Sequence, residues 1–374
     1  MVRYIPIAFE DVGVLAALAH PDHLLFVGSR GFARLPPTHI SKSNGYKQQG
    51  MALLSVLLML TLGLLLAAAM SEKLQVLVRS SSNLQNQEQG WLYGLSAEQL
   101  AMKGLMQDFK DDPKVTHLSQ YWATQQGGLP VGDGSMESKV RDMQSCFNLN
   151  ALSHPDTTDD NQTQKAHRNI NIFSALLENI ELKGGEMDSW EAEQIAQASR
   201  DWVYPKTEPV SPRGADDNDY LSLPVAYLAS NTDMRDESEW RAVRGVSALR
   251  MRGLMPYLCA LPEHELRINV NTVAVDQPEL FAALFVNSIS IEQAADILEQ
   301  RPREGWKDVD EFLNEPALSG VDKALVKESL TVKSYYFELD ARVEIQGSSS
   351  RLRSLMVRSK DDKLLVIRRR TGES

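Results

Sequence analysis

Histidine is scarce in this 374-residue chain, and the residue spacings that commonly mark catalytic sites are missing. The seven histidines form no His-x-x-x-His pair, and neither a Gly-x-Ser-x-Gly turn nor a P-loop occurs. The sequence therefore predicts a protein that is not an enzyme and has no small-molecule substrate. An anchored periplasmic hydrolase, whose catalytic groups converge from distant positions, stays open as an alternative.

Positive charge is also in deficit. Lys and Arg number 39 against 50 Asp and Glu, which gives a formal net charge of −11. Surfaces that bind nucleic acid in general depend on an excess of Lys and Arg that neutralises phosphates. The composition thus argues against a nucleic-acid partner.

Charge and proline are both absent from the stretch that follows Gly50. Residues 51–70 carry no charged side chain, and no proline occurs between Met51 and Pro113. About 20 apolar residues are enough for a helix to cross a bilayer core, which is longer than a signal-peptide centre. Lys42 and Lys47 precede the stretch, so its N-terminal side should stay in the cytoplasm. We predict a single-pass inner-membrane helix with the globular part in the periplasm.

The helical pattern continues beyond the apolar run. Apolar residues recur at spacings of three and four from Leu74 to Phe109, which indicates one apolar face. Gly90 and Gly94 are weak points, each costing about 1 kcal/mol relative to Ala in a helix. We predict one long helix, or a helix with a soft joint, whose apolar face packs on a soluble domain.

Cysteine is nearly absent, with only Cys146 and Cys259. Both follow the predicted membrane helix and so lie in an oxidising compartment. Two separate buried thiols are possible, but an even count in an exported domain favours a bridge. We predict a disulfide between them.

The junction at Gly50 resembles the N-terminus of type IV pilins and pseudopilins, in which a short basic segment and a glycine precede an apolar helix. In that class a prepilin peptidase cuts after the glycine, and the helix serves as anchor and assembly spine. The resemblance implies cleavage between Gly50 and Met51, methylation of the new terminus, and a leader over residues 1–50. This leader is long for the class, which suggests an over-extended translation start.

Five short motifs narrow the resemblance: FNLNAL, DWV, GADDNDY, PYLCALP and INVNT, in this order between residues 147 and 272. Their order behind a prepilin-type helix resembles the minor pseudopilin K family of type II secretion systems, from about residue 47 to the C-terminus. The resemblance implies a pseudopilus subunit that works with minor pseudopilins I and J and the major pseudopilin. Such a subunit takes part in the export of folded proteins across the outer membrane.

The motif GADDNDY places Asp216, Asp217 and Asp219 within four residues. The residues alone are typical of a solvated acidic turn, because the EF-hand spacing is missing. The resemblance instead implies a structural calcium ion, since K-type pseudopilins bind calcium around this region. Further possible ligands are Asp201, Asp233 and Asp236. Tyr204 follows DWV where family members often carry an acid, so one ligand position differs.

The fifth residue from Met51 is Ser55, whereas pilins and major pseudopilins usually carry Glu there. That Glu pairs with the N-terminal amine of a neighbouring subunit, because a buried carboxylate is costly without a partner. A subunit at the tip has no neighbour beyond it. The resemblance and this departure together predict a subunit that caps the pseudopilus tip and helps to start its assembly.

Residues 267–313 raise a rival hypothesis, because they resemble a DNA-binding helix-hairpin-helix module. Such a hairpin presents backbone N–H groups to phosphate and needs glycines for close approach. FVNSISIEQA stands where a Gly-x-Gly turn would be required. We interpret the region as a helical packing unit.

In the C-terminal part, apolar and polar residues alternate with a period of two. YYFELDARVEI, RLRSLMVRS and KLLVIRRR read as antiparallel strands with turns at QGSSS and SKDDK, and IRRRTGES as a solvated edge or tail. The predicted fold class is α+β: an N-terminal transmembrane and amphipathic helix packed on a pilin-like antiparallel sheet, with a large all-α domain inserted. The predicted organisation is a leader (1–50), a transmembrane helix (51–70), an amphipathic helix and first part of the core (71–149), an inserted helical domain (150–330) and C-terminal strands (331–374).

Overall fold

The computed structural model describes residues 51–124, 127–153, 160–181, 187–206 and 212–372, so the predicted leader lies outside the described part. The chain forms two compact units, Met1–Met70 and Ser71–Ser374, and the packing described below is that of the second. The described α-helices are α1 (Met51–Asp111), α2 (Tyr121–Thr124), α3 (Asp160–Asn179), α4 (Ser189–Val203), α5 (Asp217–Leu221), α6 (Ala248–Leu254), α7 (Pro278–Leu284), α8 (Ile291–Glu299), α9 (Val309–Leu313) and α10 (Lys323–Lys327). The described strands are β1 (Gly127–Val131), β2 (Gly134–Asp142), β3 (Phe147–Asn148), β4 (Leu258–Cys259), β5 (Ile268–Asn269), β6 (Leu330–Thr331), β7 (Tyr336–Ile345), β8 (Ser348–Arg358) and β9 (Leu364–Thr371).

Helix α1 is a single helix of 61 residues without an interruption. It contains no proline and ends at Asp111, two residues before Pro113, whose ring disfavours a helical conformation in the preceding residue. The prediction of one long helix is confirmed, and the alternative with a soft joint is not observed.

Five strands form one antiparallel sheet in the order β1-β2-β7-β8-β9. The β7–β8 hairpin turns at Gln346 and Gly347, which both have positive φ as tight two-residue hairpins require. The three C-terminal strands occur where the period of two predicts them. The β1–β2 hairpin completes the sheet, and the sequence pattern did not predict its strands.

One face of this sheet packs on α1. Alternate residues of β7 point to the helix and are buried there: Phe337, Leu339, Ala341, Val343 and Ile345. Helix α1 contributes Ala97, Leu105 and Phe109 to the same core. The predicted α+β class, with the helix packed on an antiparallel sheet, is confirmed.

The chain leaves the sheet after Asp142 and returns at Tyr336, and most of the regular structure between these points is helical. This inserted block has its own core, in which large aromatic side chains are fully buried: Phe147, Phe173, Tyr220, Trp240, Phe281, Trp306 and Phe312. The insertion also contains two short parallel pairs, β3 with β4 and β5 with β6. The first pair joins the beginning of the insertion to its middle, and the second joins its middle to its end. Helical periodicity alone does not predict either pair.

Candidate functional site

The predicted processing and anchoring features fall at the N-terminal end of α1. Gly50 lies outside the described residues, and Met51 is the first residue of α1. Among the described helices, α1 is the one long and apolar enough to cross a membrane. The Ser55 hydroxyl donates to the carbonyl of Ala52 at 2.9 Å, so its donor is satisfied within the helix. Residue 55 thus supplies no charge to a neighbouring helix.

Gly90 and Gly94 let the helix approach strand β8 closely. A Cβ atom on Gly90 would lie 2.5 Å from Ser350 Oγ, and one on Gly94 would lie 3.1 Å from Leu352 Cβ. No larger side chain fits at Gly90 without displacing the strand. These glycines, which the sequence presents as weak points, are the contact surface of the helix.

Glu98 is the acidic side chain at the centre of this helix–sheet contact. Its residue is 0% exposed, and its two carboxylate oxygens each lie 2.8 Å from a nitrogen of Arg369 on β9. Ser354 donates a further hydrogen bond at 2.6 Å. Burial alone would raise the pKa of Glu98, but the hydrogen bonds from Arg369 and Ser354 outweigh it, so that pKa lies below its usual value.

The opposite face of the sheet meets the insertion through charged side chains. Arg353 on β8 contacts Glu338 of β7 at 2.6 Å and Glu237 of the insertion at 2.9 Å. Arg370 on β9 forms an ion pair with Asp236. The C-terminal arginines, predicted as a solvated edge or tail, are instead tied to both neighbours of the sheet. In the sequence, Glu98 differs from its surroundings only as an acid within a face of Gly, Ala and Leu residues, and this does not identify its partner.

Cys146 and Cys259 form the predicted disulfide, with Cα atoms 5.8 Å apart. Both residues are buried beside Tyr336 and Leu355 of the sheet. The bridge ties the start of the insertion to strand β4, 113 residues later. It therefore lies at the joint between the insertion and the sheet.

The three aspartates of GADDNDY each have partners within the protein. Asp216 caps α5 by accepting from the backbone N–H of Asn218 and Asp219. Asp217 accepts from the backbone N–H of Ala229 at 3.1 Å. Asp219 accepts from the Asp216 N–H and forms an ion pair with Arg244.

Carboxylate oxygens suit calcium, which takes six to eight oxygen ligands. No group of three or more His, Cys, Asp or Glu side chains arranged to hold a metal occurs among the described residues. Of the further candidate ligands, Asp233 pairs with His264 and Asp236 with Arg370. The donor chemistry fits the ion, but the described geometry does not gather these oxygens, so calcium binding stays a prediction.

The asparagines of FNLNAL form hydrogen bonds to backbone groups elsewhere in the insertion. Asn148 Oδ1 accepts from the N–H of Leu261 at 2.9 Å. Asn150 donates to the carbonyls of Met234 and Leu261 at 2.8 and 2.9 Å, and accepts from the Met234 N–H at 2.8 Å. A buried amide that satisfies three backbone groups is costly to remove. This motif has a structural role.

INVNT makes similar connections across the joint. Asn269 donates to Thr116 O at 3.1 Å and to Ser334 Oγ at 2.7 Å. Asn271 exchanges two hydrogen bonds with the backbone of Trp306. The motif therefore links three segments by hydrogen bonds: the segment after α1, the insertion and the segment that leads into β7.

Asp142, the last residue of β2, is buried within these connections. Its carboxylate accepts from Ser334 Oγ at 2.5 Å, Thr272 Oγ1 at 2.6 Å and the Gln144 N–H at 2.8 Å. Burial raises the pKa of Asp142 despite these hydrogen bonds. Nothing in the sequence around Asp142 predicts that this aspartate is buried.

The helix-hairpin-helix resemblance falls on α7 and α8. Val286 and Asn287 adopt positive φ in the connecting hairpin in place of glycines. The N–H groups of Val286 and Ser288 donate to carbonyls within the hairpin, and that of Ser290 donates to the side chain of Gln293. These donors are therefore occupied, and Glu292 adds negative charge beside them. The geometry favours a packing unit over a phosphate-binding hairpin.

A serine, a histidine and an aspartate lie together after α1. Ser119 Oγ is 2.8 Å from His117 Nδ1, and His117 Nε2 is 3.8 Å from Asp112 Oδ2. In a catalytic triad the serine contacts Nε2 and the acid contacts Nδ1. Here the arrangement is reversed and joins residues of the segment that connects α1 to α2. These contacts are typical of a stabilised turn rather than a hydrolytic site.

Comparison with known proteins finds that the chain is similar to members of one protein family. Two family models match it, each described as type II secretion system protein K, over residues 145–263 and 268–333. The chain is 41% identical over 333 residues to the type II secretion system protein K of Aeromonas hydrophila, covering 87% of this chain and 98% of that protein. It is 36% identical to the protein K of Klebsiella pneumoniae, covering 83% and 93%.

A solved structure is similar as well. It is the GspK-GspI-GspJ complex from the type 2 secretion system of enterotoxigenic Escherichia coli. The match has a TM-score of 0.69 and 33% identity, and covers 79% of this chain and 99% of that chain.

Proposed function

The chain belongs to the type II secretion system protein K family, and we propose that it caps the tip of the pseudopilus and helps to start its assembly. In this role it forms a heteromer with the minor pseudopilins I and J on top of the major pseudopilin. The assembly serves the export of folded proteins across the outer membrane. The similarity to a solved complex of proteins K, I and J is the observation that carries the partner assignment.

Position 55 supports the tip assignment. An internal subunit needs a charge in its apolar helix to pair with the N-terminal amine of its neighbour, because an unpaired buried charge is costly. Ser55 has no charge, and its hydroxyl is bonded to Ala52 O. A subunit at the end of the filament requires no such partner.

The size of the inserted block supports the same position. The insertion occupies the chain between Asp142 and Tyr336 and has a core of its own. Side-by-side packing in a filament shaft leaves little lateral room for such an enlarged head. At an end of the filament, the head meets no neighbour above it.

We propose further that a prepilin peptidase cleaves between Gly50 and Met51, that the new terminus is methylated, and that α1 anchors the chain in the inner membrane with its head in the periplasm. The disulfide is consistent with that oxidising compartment. In cells, Gly50→Leu should leave an unprocessed precursor, detected by N-terminal sequencing. Gly63→Leu is the matched control, because nothing lies within 4 Å of Gly63 and processing should continue. Normal maturation of Gly50→Leu would contradict this assignment.

The tip position is tested in two steps. Soluble heads of this protein and of the I and J subunits are co-expressed and separated by sizing chromatography, where a ternary complex is expected. Pseudopili from cells are then labelled with an antibody against this protein. Label at one end is the expected result, whereas label spread along the shaft would refute the tip assignment even if the complex forms.

A further inference from the structure

Strand β9 changes the face to which its side chains point. Leu364 and Val366 contact the helix-side core. Strict alternation would send residues 368 and 370 to that same face. The register of β8 and β9 instead shifts between Leu355 and Met356, since Met356 pairs with Val366 and Leu355 pairs with Arg368. This bulge places one extra residue, Ile367, in β9 and reverses the direction of the arginines that follow.

On the helix side, the reversal brings Arg369 to Glu98. Arg369 pairs with Ser354 across the strands, and its guanidinium holds the Glu98 carboxylate through two nitrogens at 2.8 Å each. Paired N–H···O bonds of this kind fix direction as well as distance. The helix surface around Glu98 includes the small residues Gly94, Ala97 and Ala101, whose side chains form only low ridges. The ion pair therefore adds a directional contact to this close-packed part of the helix.

On the insertion side, the same reversal brings Arg368 and Arg370 to Asp236. Arg370 forms an ion pair with this carboxylate, and Arg368 lies 3.9 Å both from Asp236 and from Glu338 of β7. The other oxygen of Asp236 accepts from the Ser238 N–H at 3.0 Å and so starts a 3-10 turn of the insertion. The charges of β9 therefore act on the insertion at the start of a secondary-structure element.

We propose that Arg368, Arg369 and Arg370 form a clip in which the β9 bulge couples the position of α1 to the position of the insertion. Arg369 holds Glu98 on the helix side, and Arg370 holds Asp236 on the other side, with the Arg368 charge 3.9 Å from the same carboxylate. Since the three residues are consecutive in a single strand, moving one side of the clip displaces the other. The clip does not depend on where the subunit lies in a filament.

Amide hydrogen exchange on the full-length protein in detergent tests the clip. Arg369→Gln should speed exchange about tenfold in α1 around residues 90–101 and, through the strand, also in residues 236–243. Arg370→Gln should speed exchange in the same two segments. Independent ion pairs would instead confine each effect to the nearest partner, so confined effects, or no effect, overturn the proposal.

The pair of Arg351 and Asp340 is the matched control. Its two hydrogen bonds are 2.8 Å each, and both residues lie within the sheet. Arg351→Gln should change exchange in β7 and β8 without reaching α1 or residues 236–243. The same spread from this control would mean that any lost ion pair loosens the whole domain, and this too overturns the clip.

A conservative and a reversed variant cover the case in which Arg369→Gln fails to fold. Arg369→Lys keeps the charge and loses the paired geometry, so it should speed exchange in both segments by a smaller factor. Glu98→Arg combined with Arg369→Glu restores opposite charges and should return exchange in both segments toward the wild-type rate. If exchange at residues 236–243 ignores both variants, the coupling does not exist.

Discussion

The two faces of the sheet are held by different means. The helix side packs apolar side chains against α1, with one ion pair between the buried Glu98 and the partly exposed Arg369. The insertion side is joined by a disulfide, by arginine–carboxylate contacts and by buried asparagines. Apolar burial is non-directional, whereas hydrogen bonds and covalent bonds fix geometry. The insertion is thus positioned mainly by directional contacts, and the helix mainly by close approach.

The largest difference between the faces should come from the disulfide. Changing Cys146 and Cys259 to Ser removes a link over 113 residues, which in the chain-entropy model costs about 4–5 kcal/mol. Urea unfolding of residues 71–374 measures the loss. Reductant should destabilise the wild type and leave the double variant unchanged, because the variant contains no reducible bond. A wild type that is insensitive to reductant would contradict the importance of this joint.

A second insertion-side effect concerns Asn150. Asn150→Ala leaves the Met234 N–H and two carbonyls without their partner, and each unsatisfied buried group costs about 1–3 kcal/mol. We expect a loss of about 3 kcal/mol in the free energy of unfolding. Asn218→Ala is the control, because the residue is exposed and should change stability by less than about 0.5 kcal/mol. Equal losses would show that the amide contacts carry no special weight.

On the helix side, Gly90→Leu forces a side chain into the space of Ser350. Overpacking of this kind costs about 1–3 kcal/mol. Gln99→Leu adds the same side chain to the exposed surface of the same helix and should have an effect within about 0.5 kcal/mol. If both variants unfold at the same urea concentration, the helix does not approach β8 as closely as described.

Lowering the pH should have opposite effects on the contributions of Glu98 and Asp142 to the free energy of unfolding. The pKa of Glu98 is lowered in the folded state, so its stabilisation is present above the unfolded pKa of about 4.3 and is lost as pH falls through the folded pKa. The pKa of Asp142 is raised, so its contribution is present below its unfolded pKa of about 3.9 and is lost as pH rises through the folded pKa. Glu98→Gln should therefore cost more at pH 7 than at pH 3, and Asp142→Asn more at pH 3 than at pH 7. Unfolding curves at both pH values decide this, and parallel shifts for both variants would refute the assignment.

Calcium should give the smallest effect, and it concerns the insertion alone. We propose that the ion binds Asp216, Asp217 and Asp219. At tenfold its dissociation constant, it would stabilise the folded state by about 1.4 kcal/mol. The melting temperature of residues 71–374 should fall on chelation and recover with added calcium. Asp216→Asn combined with Asp217→Asn should abolish this response, whereas Asp310→Asn at a distant exposed ion pair should keep it. A chelator-insensitive melting temperature would leave the motif as a plain helix cap.

The sequence predicted the elements whose pattern is local. The uncharged run at residues 51–70, the period of two after Tyr336 and the pair of cysteines each report on their own surroundings. The long-range partners were not readable, because nothing near Glu98 indicates an arginine 271 residues away. The acidic motif and the asparagine motifs were recognised as family features, and the structure adds their contacts. Residues that cap, fasten or pair over long distances reveal these roles only when their partners are known.

The pairing of β2 with β7 also determines when the sheet can fold. Gly134 pairs with Ile345, and the edge strand β9 ends at Thr371, so three of the five strands come from the C-terminal part of the chain. Contacts of such long sequence separation form slowly, and an isolated hairpin is at best marginally stable in water. Until β7 and β8 have paired, the docking face of α1 has only the β1–β2 hairpin to cover it. A chain truncated before β7 would keep α1 but could not build the surface on which this helix rests, so docking of α1 waits for the C-terminal strands.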